Sequence, residues 1–363
     1  MAKLKKITIK GFKSIRELNE FELRDLNILI GPNGAGKSNF IGAFKLLNQI
    51  VEKNLQVYVG QCSGGDKLLY LGSANTEYIH IHLWFGRNGY SAKLAPTSDD
   101  SLFFEDETTY YLGAGYTRPY EQTLGSGHKE TLLHEKAAGG ERIPKYVLDS
   151  LTSWRLYHFH DTSDSAKIKK TNDIDDNSFL RHDASNLAPF LYLLKKTKVD
   201  YYNNIVDTIH LVAPFFDDFD LKPSSLNQNK IKLEWKQRGT DAYFDASSLS
   251  DGTLRFICLA TLLLQPDLPT TVLIDEPELG LHPYAISMLA ELVKSAAEKT
   301  QIIVSTQSVT LVNQFNLEDL IIVEMENNET TLKRLPETDI SEWIGEYALG
   351  DLWEKNVLGG RPK

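Results

Sequence analysis

Apolar positions in the first fifty residues predict a strand, a loop and a helix in that order. Residues 3 to 10 and 20 to 30 have the pattern of strands, and the second segment ends in three consecutive apolar residues, Ile28, Leu29 and Ile30, as buried strands do. After a glycine-containing loop, the apolar residues recur with a helical period. They are Phe40, Ile41, Phe44, Leu47, Ile50 and Val51.

A strict alternation follows in residues 78 to 85, YIHIHLWF, and it predicts a strand with two different faces. His80 and His82 lie on the same face and could share a metal ion. Because no third ligand is nearby in the sequence, the two-sided strand in a packed sheet is the favoured interpretation.

The stretch from about 95 to 230 loses this regularity and is rich in Gly, Asp, Ser and Tyr. Helical periodicity returns only around residues 186–196 and 201–211. We interpret this stretch as an inserted helical and loop-rich subdomain. The predicted division is therefore residues 1–94 and 231–315 for the two parts of one α/β unit, 95–230 for the insertion and 316–363 for a tail.

Strands and helices alternate again after residue 230. KIKLEWK, TTVLIDE and QIIVST have strand patterns, whereas SSLSDGTLRFICLATLLLQ and PYAISMLAELVKSAAEK predict a turn into an apolar helix and an amphipathic helix. DLIIVEMENNETTLKRL in the tail resembles a hairpin. This alternation predicts a parallel, two-layer α/β core.

The composition helps to decide whether the protein is soluble, secreted or membrane-bound. The chain has 363 residues, 42% hydrophobic and 24% charged, which is the balance of a soluble globular protein. It shows no apolar run long enough for a membrane span, no secretion signal at its start and no cysteine pairing pattern, so we expect a cytoplasmic protein.

The net charge of −10 disfavours a broad surface for nucleic acids but leaves room for a local basic patch that contacts DNA. The candidates are the lysines at 167, 169, 170, 195, 196 and 198, for which a solvated surface is the simpler explanation.

The loop between the first buried strand and the first helix fits the pattern GxxxxGK[ST]. Its backbone N–H groups and the helix N-terminus would cradle the phosphates of ATP, Lys37 would reach the β and γ oxygens, and Ser38 would bind Mg²⁺. The nucleotide-binding residues predicted here are Gly31, Pro32, Asn33, Gly34, Ala35, Gly36, Lys37, Ser38 and Asn39.

A later strand, VLIDE, ends in two carboxylates. We expect Asp275 to support the hydrated Mg²⁺ and Glu276 to polarise the water that attacks the γ-phosphate. Two acids at the end of a strand are common, but the phosphate loop upstream favours the catalytic interpretation.

The segment SSLSDGTLRF, residues 247 to 256, offers a second anion site through a serine hydroxyl, a glycine and a helix N-terminus. One γ-phosphate cannot be cradled by two loops on distant parts of one sheet. In a two-fold dimer, however, Ser250 and Gly252 would face the phosphate held by the other subunit. The alternative is an ordinary turn that caps a core helix.

The motifs IKGFKSI, GPNGAGKSN, LSDGT, LIDEPELGLHP and STQS, in that order, resemble the ABC-type ATPase heads of the SMC and RecF class. In particular, the chain resembles the predicted AAA-type RecF/OLD-like ATPases of bacteria, which are often encoded in phage-defence operons. The matching motifs extend from residue 9 to 308. The fold class expected from this resemblance is an α/β P-loop NTPase of the ABC-ATPase head type with an inserted helical and loop-rich subdomain.

The resemblance also implies roles for single residues. Residues 249–253 would be the signature loop and 280–283 the D-loop at a dimer seam. Gln307 stands where many ABC proteins carry a switch histidine; since glutamine can donate a hydrogen bond but cannot be protonated, slow or regulated hydrolysis is expected.

Two further residues are candidates for nucleotide contacts. Lys13 would reach the nucleotide, with a solvated lysine as the alternative, and Gln61, in the loop expected after the first helix, is a candidate for the Q-loop glutamine. His158, His160 and His182 lack an accompanying acidic cluster, so we expect packing or dimer contacts and not a nuclease site.

Three functions fit this sequence. The favoured one is an ATP-hydrolysing switch that forms a homodimer, or a higher assembly of dimers, around ATP and regulates a separate nuclease or toxin in anti-phage defence. Residues 309–363 are too few for a nuclease domain, so the effector would act in trans. The alternatives are a stand-alone RecF/SMC-like DNA-repair ATPase that binds DNA and, last, the nucleotide-binding subunit of a membrane transporter.

Overall fold

The computed structural model describes residues 3–336 and 347–359. Their strands form two six-stranded sheets and two small three-stranded ones. In chain order the strands are β1 (Lys6–Phe12), β2 (Ile15–Glu22), β3 (Leu26–Ile30), β4 (Ile79–Phe85), β5 (Asn88–Pro96), β6 (Leu102–Tyr111), β7 (Tyr120–Gly125), β8 (Trp154–Tyr157), β9 (Asn172–Asp173), β10 (Phe216–Phe219), β11 (Pro223–Ser224), β12 (Asn227–Ile231), β13 (Glu234–Gln237), β14 (Tyr243–Asp245), β15 (Thr271–Asp275), β16 (Gln301–Thr306), β17 (Leu320–Glu326) and β18 (Glu329–Lys333).

The α-helices pack mainly around the second large sheet. They are α1 (Lys37–Val51), α2 (Leu55–Gln61), α3 (Leu133–Ala138), α4 (Arg142–Thr152), α5 (Leu187–Thr197), α6 (Val199–Val212), α7 (Asp251–Leu264), α8 (Pro283–Ala297), α9 (Val309–Val312) and α10 (Leu349–Glu354). Within the ranges that the structure describes, no helix combines the length and the apolar character needed to cross a bilayer.

The core sheet has the strand order β18-β17-β3-β16-β15-β8. Every neighbouring pair from β17 to β8 is parallel, and only β18 runs antiparallel. The register aligns Ile30 with Thr306 and Asp275 with Ser305, so β3, β15 and β16 end side by side. The phosphate loop, the acids of VLIDE and Gln307 of STQS therefore lie at the same edge of the sheet.

The core sheet is covered on both faces. Along β3, Ile28 and Ile30 pack into the hydrophobic cluster formed with α5 to α9, whereas Leu29 packs into the cluster formed with α1 and the first sheet. Covering both faces requires continuous apolar strands, and this is the pattern of ILI, VLI and IIV. The expected α/β P-loop NTPase fold is thereby built around a buried parallel sheet.

The first sheet is antiparallel, with the order β2-β1-β4-β5-β6-β7. The predicted alternation of the two faces of β4 is present in the structure. Ile79, Ile81, Leu83 and Phe85 are buried, whereas His80, His82 and Trp84 are partly exposed on the other face. His82 stacks on Tyr110 at 4.9 Å between ring centroids. These histidines lie in an aromatic row on the sheet surface.

The residues between 95 and 230 are more regular than the sequence pattern suggested. Strands β6 and β7 extend the antiparallel sheet next to β5, and β8 becomes the edge strand of the core sheet beside β15. The helices α5 and α6 lie where their periodicity predicted them. Residues 20 to 30 also differ from expectation, since they contain the end of β2 and the whole of β3 as separate strands.

The junction between α1 and the two sheets yields a test of stability. Phe44 is 1% exposed, and its ring lies 5.4 Å from those of Phe40 and Trp154. We expect Phe44→Ala to lower the free energy of unfolding by about 3–5 kcal/mol, because the site cannot collapse around the lost ring. Chemical denaturation measures this loss; Tyr116→Ala, at a ring that is 75% exposed, should change the free energy by less than about 0.5 kcal/mol. Equal effects of the two variants would contradict the packing described.

Candidate functional site

The loop that follows β3 is shaped by glycines in close contact with backbone and side chains. A Cβ at Gly31 would lie 2.3 Å from the carbonyl oxygen of Val323, and Gly36 has a φ of 106° with its Cα facing the side chain of Thr330. Lys37 begins α1, is 5% exposed and donates from Nζ to the carbonyl oxygens of Gly31 at 2.7 Å and Pro32 at 3.1 Å. The ammonium group is thus held over the loop that would surround the phosphates.

Burial lowers the pKa of Lys37, and the negative charges of Glu276, Asp275 and Glu278 oppose that shift. The three carboxylates are therefore close enough to act electrostatically on the lysine of the loop. An anion cradled by the loop would take the place of the two carbonyl oxygens as the partner of Nζ.

Two residues distant in sequence support the loop. Thr330 Oγ1 lies 3.0 Å from the carbonyl oxygen of Ala35 and 2.6 Å from Ser14 Oγ, and Asn39 Nδ2 donates to the same Ser14 Oγ at 2.6 Å. The hairpin β17–β18 and the turn between β1 and β2 thus hold the loop from outside. Sequence analysis assigned no role to Ser14, although it lies in the motif IKGFKSI, and nothing local to Thr330 points to the loop.

Asp275 ends β15 beside the loop. Ser305 Oγ donates to its Oδ1, and His160 Nε2 lies 2.8 Å from its backbone carbonyl oxygen. No described residue forms a hydrogen bond with the other carboxylate oxygen, Oδ2. Ser38 lies in the first turn of α1, which begins at the same edge of the sheet. A carboxylate with one oxygen fixed and one free, together with a hydroxyl, is a donor set of the kind that Mg²⁺ uses with water and phosphate oxygens.

Glu276 has a left-handed backbone, with φ of 45°, and its N–H donates to the carbonyl oxygen of Ser305 at 2.9 Å. The amide of Gln307 donates to Glu276 Oε1. The structure therefore places Glu276 in contact with Gln307. Sequence analysis assigned both residues, together with Lys37, to catalysis. The amide thus fixes one carboxylate oxygen of Glu276, and the other has no hydrogen-bond partner among the described residues.

A third acid, Glu278, was not recognised from the sequence. It is 7% exposed and accepts from Thr306 Oγ1 at 2.5 Å and from the N–H of Gln307 at 3.1 Å. Its Oε2 is buried without a partner, and burial raises the pKa of this carboxyl. Glu278 thus fixes the backbone of Gln307. Its position in LIDEPELGLHP was the available signal, but only the fold shows that it turns toward β16.

The segment 249–253 forms the start of α7. Ser250 is the N-cap residue, and its Oγ accepts from the N–H of Thr253 at 3.2 Å. A Cβ at Gly252 would lie 2.3 Å from the carbonyl oxygen of Gly280, so only glycine allows α7 to approach the segment 280–283. Among the described residues, no hydrogen bond joins 249–253 to the loop 31–38 of the same chain.

Arg255 ties three segments to α7. Its guanidinium donates to the carbonyl oxygens of Phe159 at 3.0 Å, His160 at 2.9 Å and Leu279 at 2.6 Å. One side chain therefore holds the residues after β8 and the segment after Glu278 against the same helix. A guanidinium suits this role because its donors point in fixed directions.

The remaining candidates lie in less direct positions. Lys13 Nζ is 5.5 Å from the centroid of the Phe12 ring, and it lies 3.6 Å from a Cβ built on Gly42, beyond the first turn of α1. Gln61 is an exposed residue at the end of α2 and not part of a loop. The N–H of His158 donates to the carbonyl oxygen of His182 at 2.9 Å. No group of three or more His, Cys, Asp or Glu among the described residues is placed to hold a metal ion.

Comparison with curated proteins finds relatives along nearly the whole chain. The Old nuclease of Escherichia phage P2 is 24% identical over 384 residues, covering 95% of this chain and 62% of the relative. The Septu protein PtuA of Bacillus thuringiensis is 22% identical over 373 residues, covering 97% of this chain and 84% of the relative. The chain thus spans less than two thirds of the length of the Old nuclease.

Among solved structures, an SmcHead bound to the C-winged helix domain of ScpA matches with a TM-score of 0.61 at 16% identity. The match covers 94% of this chain and 99% of the SmcHead. The expected fold of an ABC-type ATPase head is therefore confirmed.

The family model described as "AAA domain, putative AbiEii toxin, Type IV TA system" matches residues 26–313, from β3 to the residue after α9. This range contains the phosphate loop, the acids after β15 and Gln307. The resemblance inferred from the motifs is confirmed: the chain is an SMC/OLD-like AAA ATPase and belongs to this family of AAA domains.

Proposed function

We propose that the chain is an Mg²⁺-dependent, cytoplasmic ATPase switch that dimerises around ATP and regulates a separate nuclease or toxin effector in bacterial anti-phage defence. The observation that carries this proposal is the arrangement at the edge of the core sheet. Lys37, Asp275, Glu276 and Gln307 lie together there. Among the described residues, no hydrogen bond joins Ser250 or Gly252 to the loop of the same chain.

Different residues of the chain bind the phosphates, activate the attacking water and hold Mg²⁺ in this proposal. Backbone N–H groups of the loop and Lys37 bind the phosphates, and Lys37 exchanges the carbonyl oxygens of Gly31 and Pro32 for phosphate oxygens. Glu276 orients the attacking water as a general base, and Gln307 holds its carboxylate in place. Ser38 and Asp275 would hold Mg²⁺, which supplies neutralisation of phosphate charge.

The dimer follows from the position of the signature segment. Ser250 is exposed, and Gly252 packs directly on Gly280, so the segments 249–253 and 280–283 form one surface. In a two-fold dimer this surface would face the phosphate loop of the partner and close the ATP site. The exposed side chains of Leu279 and Tyr284, 40% and 52% accessible, lie next to it and would supply apolar contacts.

The relatives support the proposed association with a nuclease effector in defence. One of them is a nuclease by name, and the other, PtuA, is matched over most of its length. We place the effector activity in a separate chain that responds to the ATP-bound dimer. An adjacent nuclease or toxin gene would fit this arrangement.

Lys37→Ala should weaken ATP binding by about 100-fold or more, because the loop loses the side-chain cation that reaches the phosphates. Isothermal titration with ATP measures the affinity, and thermal unfolding checks that the variant is folded. Lys299→Ala, at an exposed lysine after α8, serves as the matched control. Unchanged ATP affinity in Lys37→Ala would refute the assignment.

Glu276→Gln should retain ATP binding while turnover falls by roughly 10²–10⁴-fold, since the amide keeps the shape but loses the charge that accepts a proton from water. Phosphate release measures turnover, and light scattering with ATP should detect an accumulated dimer. Glu291→Gln, an exposed acid on α8, controls for the loss of one charge. Turnover at the unmodified rate would exclude Glu276 as the base.

Ser250→Arg should leave ATP binding to the monomer nearly intact but abolish turnover, because a bulky cation blocks the closing surface. A mixture with Lys37→Ala should recover part of the activity that neither parent shows. In that heterodimer, an intact phosphate loop on one chain meets an intact signature segment on the other. A mixture that remains inactive although heterodimers form would contradict this complementation across the dimer.

A further inference from the structure

A concave pocket of about 410 Å³ lies between α1 and β8, the edge strand of the core sheet. One wall is the second half of α1. The other is formed by three consecutive residues of β8, by His158 just after that strand and by the segment 179–182. The lining includes cationic, imidazole and aromatic side chains, namely Lys45, Arg155, His158, Phe179, Arg181 and His182.

The charge of this pocket is opposite to that of the chain. The chain carries a net charge of −10, yet three side-chain cations and two histidines line the pocket together with a single carboxylate, Glu52. Among the described residues, Lys45 and Arg155 have no carboxylate within ion-pair distance, and only Arg181 is paired, with Asp176 at 2.7 Å. A concentration of unneutralised positive charge in a concave site favours an anionic ligand.

The two arginines add directional donors. Arg155 Nη1 donates to the backbone carbonyl oxygens of Thr152 at 2.6 Å and Trp154 at 2.8 Å, which fixes the guanidinium in place. The remaining N–H groups of that fork have no protein acceptor among the described residues. A planar guanidinium that is fixed by backbone carbonyl groups and still has free N–H donors is suited to binding phosphate oxygens.

An exposed aromatic ring completes the pocket. Phe179 is 54% exposed, and the Cζ atom of Arg155 lies 5.4 Å from its ring centroid. An exposed ring beside cations offers a stacking surface for a flat base, and such stacking does not require a particular sequence. An acidic peptide would use the cations but has no comparable use for the ring.

We propose that the pocket between α1 and β8 binds a nucleoside phosphate, with the phosphate held by Lys45, Arg155 and Arg181 and the base stacked on Phe179. Its volume fits a single nucleotide and is too small for a duplex. The ligand could be a free nucleotide or one nucleotide of a single strand, because both present the same base and phosphate.

None of the residues of the ATP loop 31–38 lines this pocket. Lys45 follows Lys37 by eight residues on α1, which places it about 12 Å further along the helix axis. Binding in the pocket therefore does not require the phosphate loop, and it can be tested independently of ATP hydrolysis.

The experiment is fluorescence anisotropy of the full chain with a labelled oligothymidylate at low salt. Lys45→Glu should weaken binding at least tenfold through the reversed charge, and Phe179→Ala should weaken it about fivefold or more through lost stacking. Lys299→Glu reverses an exposed charge outside the pocket and should bind as the unmodified chain does. Lys37→Ala should also bind normally, which separates this proposal from failure of the proposed ATPase.

Competitors identify the ligand. Displacement by unlabelled thymidine monophosphate at a similar nucleotide concentration would indicate a free nucleotide, whereas displacement only by oligothymidylate would indicate a strand; either result supports the pocket. Equal displacement by polyglutamate, with no effect of Phe179→Ala, would replace the nucleotide with an acidic peptide and overturn the proposal. Absence of binding, or unmodified binding by Lys45→Glu, would overturn it as well.

Discussion

The parallel alignment of the strands from β17 to β8 is the constraint on which the candidate site depends. Because these strands share one direction, the segments that follow them emerge at one edge, whatever their separation in the chain. Residues after β3, β15 and β16 meet there although β3 ends more than two hundred positions before β15 and β16 begin. Helices on both faces keep the strands in register, and that register decides which side chains touch.

Local patterns were sufficient to predict the elements that carry the motifs. The glycine loop, the apolar trio before it and the helical period after it are all contained within about twenty residues, and the fold follows them. The strands in the stretch 95–230 were harder to predict from the sequence. β6 and β7 carry many polar residues on a partly exposed surface, and β8 has only four residues. Short or half-exposed strands have little hydrophobic alternation to detect.

Contacts between distant segments could not be predicted in the same way. The contact of Glu278 with β16 is known only from the folded structure. The same is true of the contacts of Ser14 and Thr330 with the loop. The segment 249–253 shows the opposite case: its capping hydrogen bond and its close approach at Gly252 agree with the sequence pattern. The pattern alone does not distinguish a helix cap from a surface that binds a partner, since the same Ser250 can serve both.

The strand that leads into the phosphate loop is synthesised long before its sheet partners. In the part of the chain that the structure describes, β3 pairs only with β16 and β17. Thr330, which contacts the loop itself, is 295 residues beyond Ala35. During translation the loop therefore emerges long before the strands and the hairpin that hold it in shape. Closing so long a connection is slow, because its entropic cost precedes the contacts that offset it. The loop consequently cannot take its described shape until β16, β17 and β18 have left the ribosome, and a chain truncated before β16 would keep the motif without these contacts.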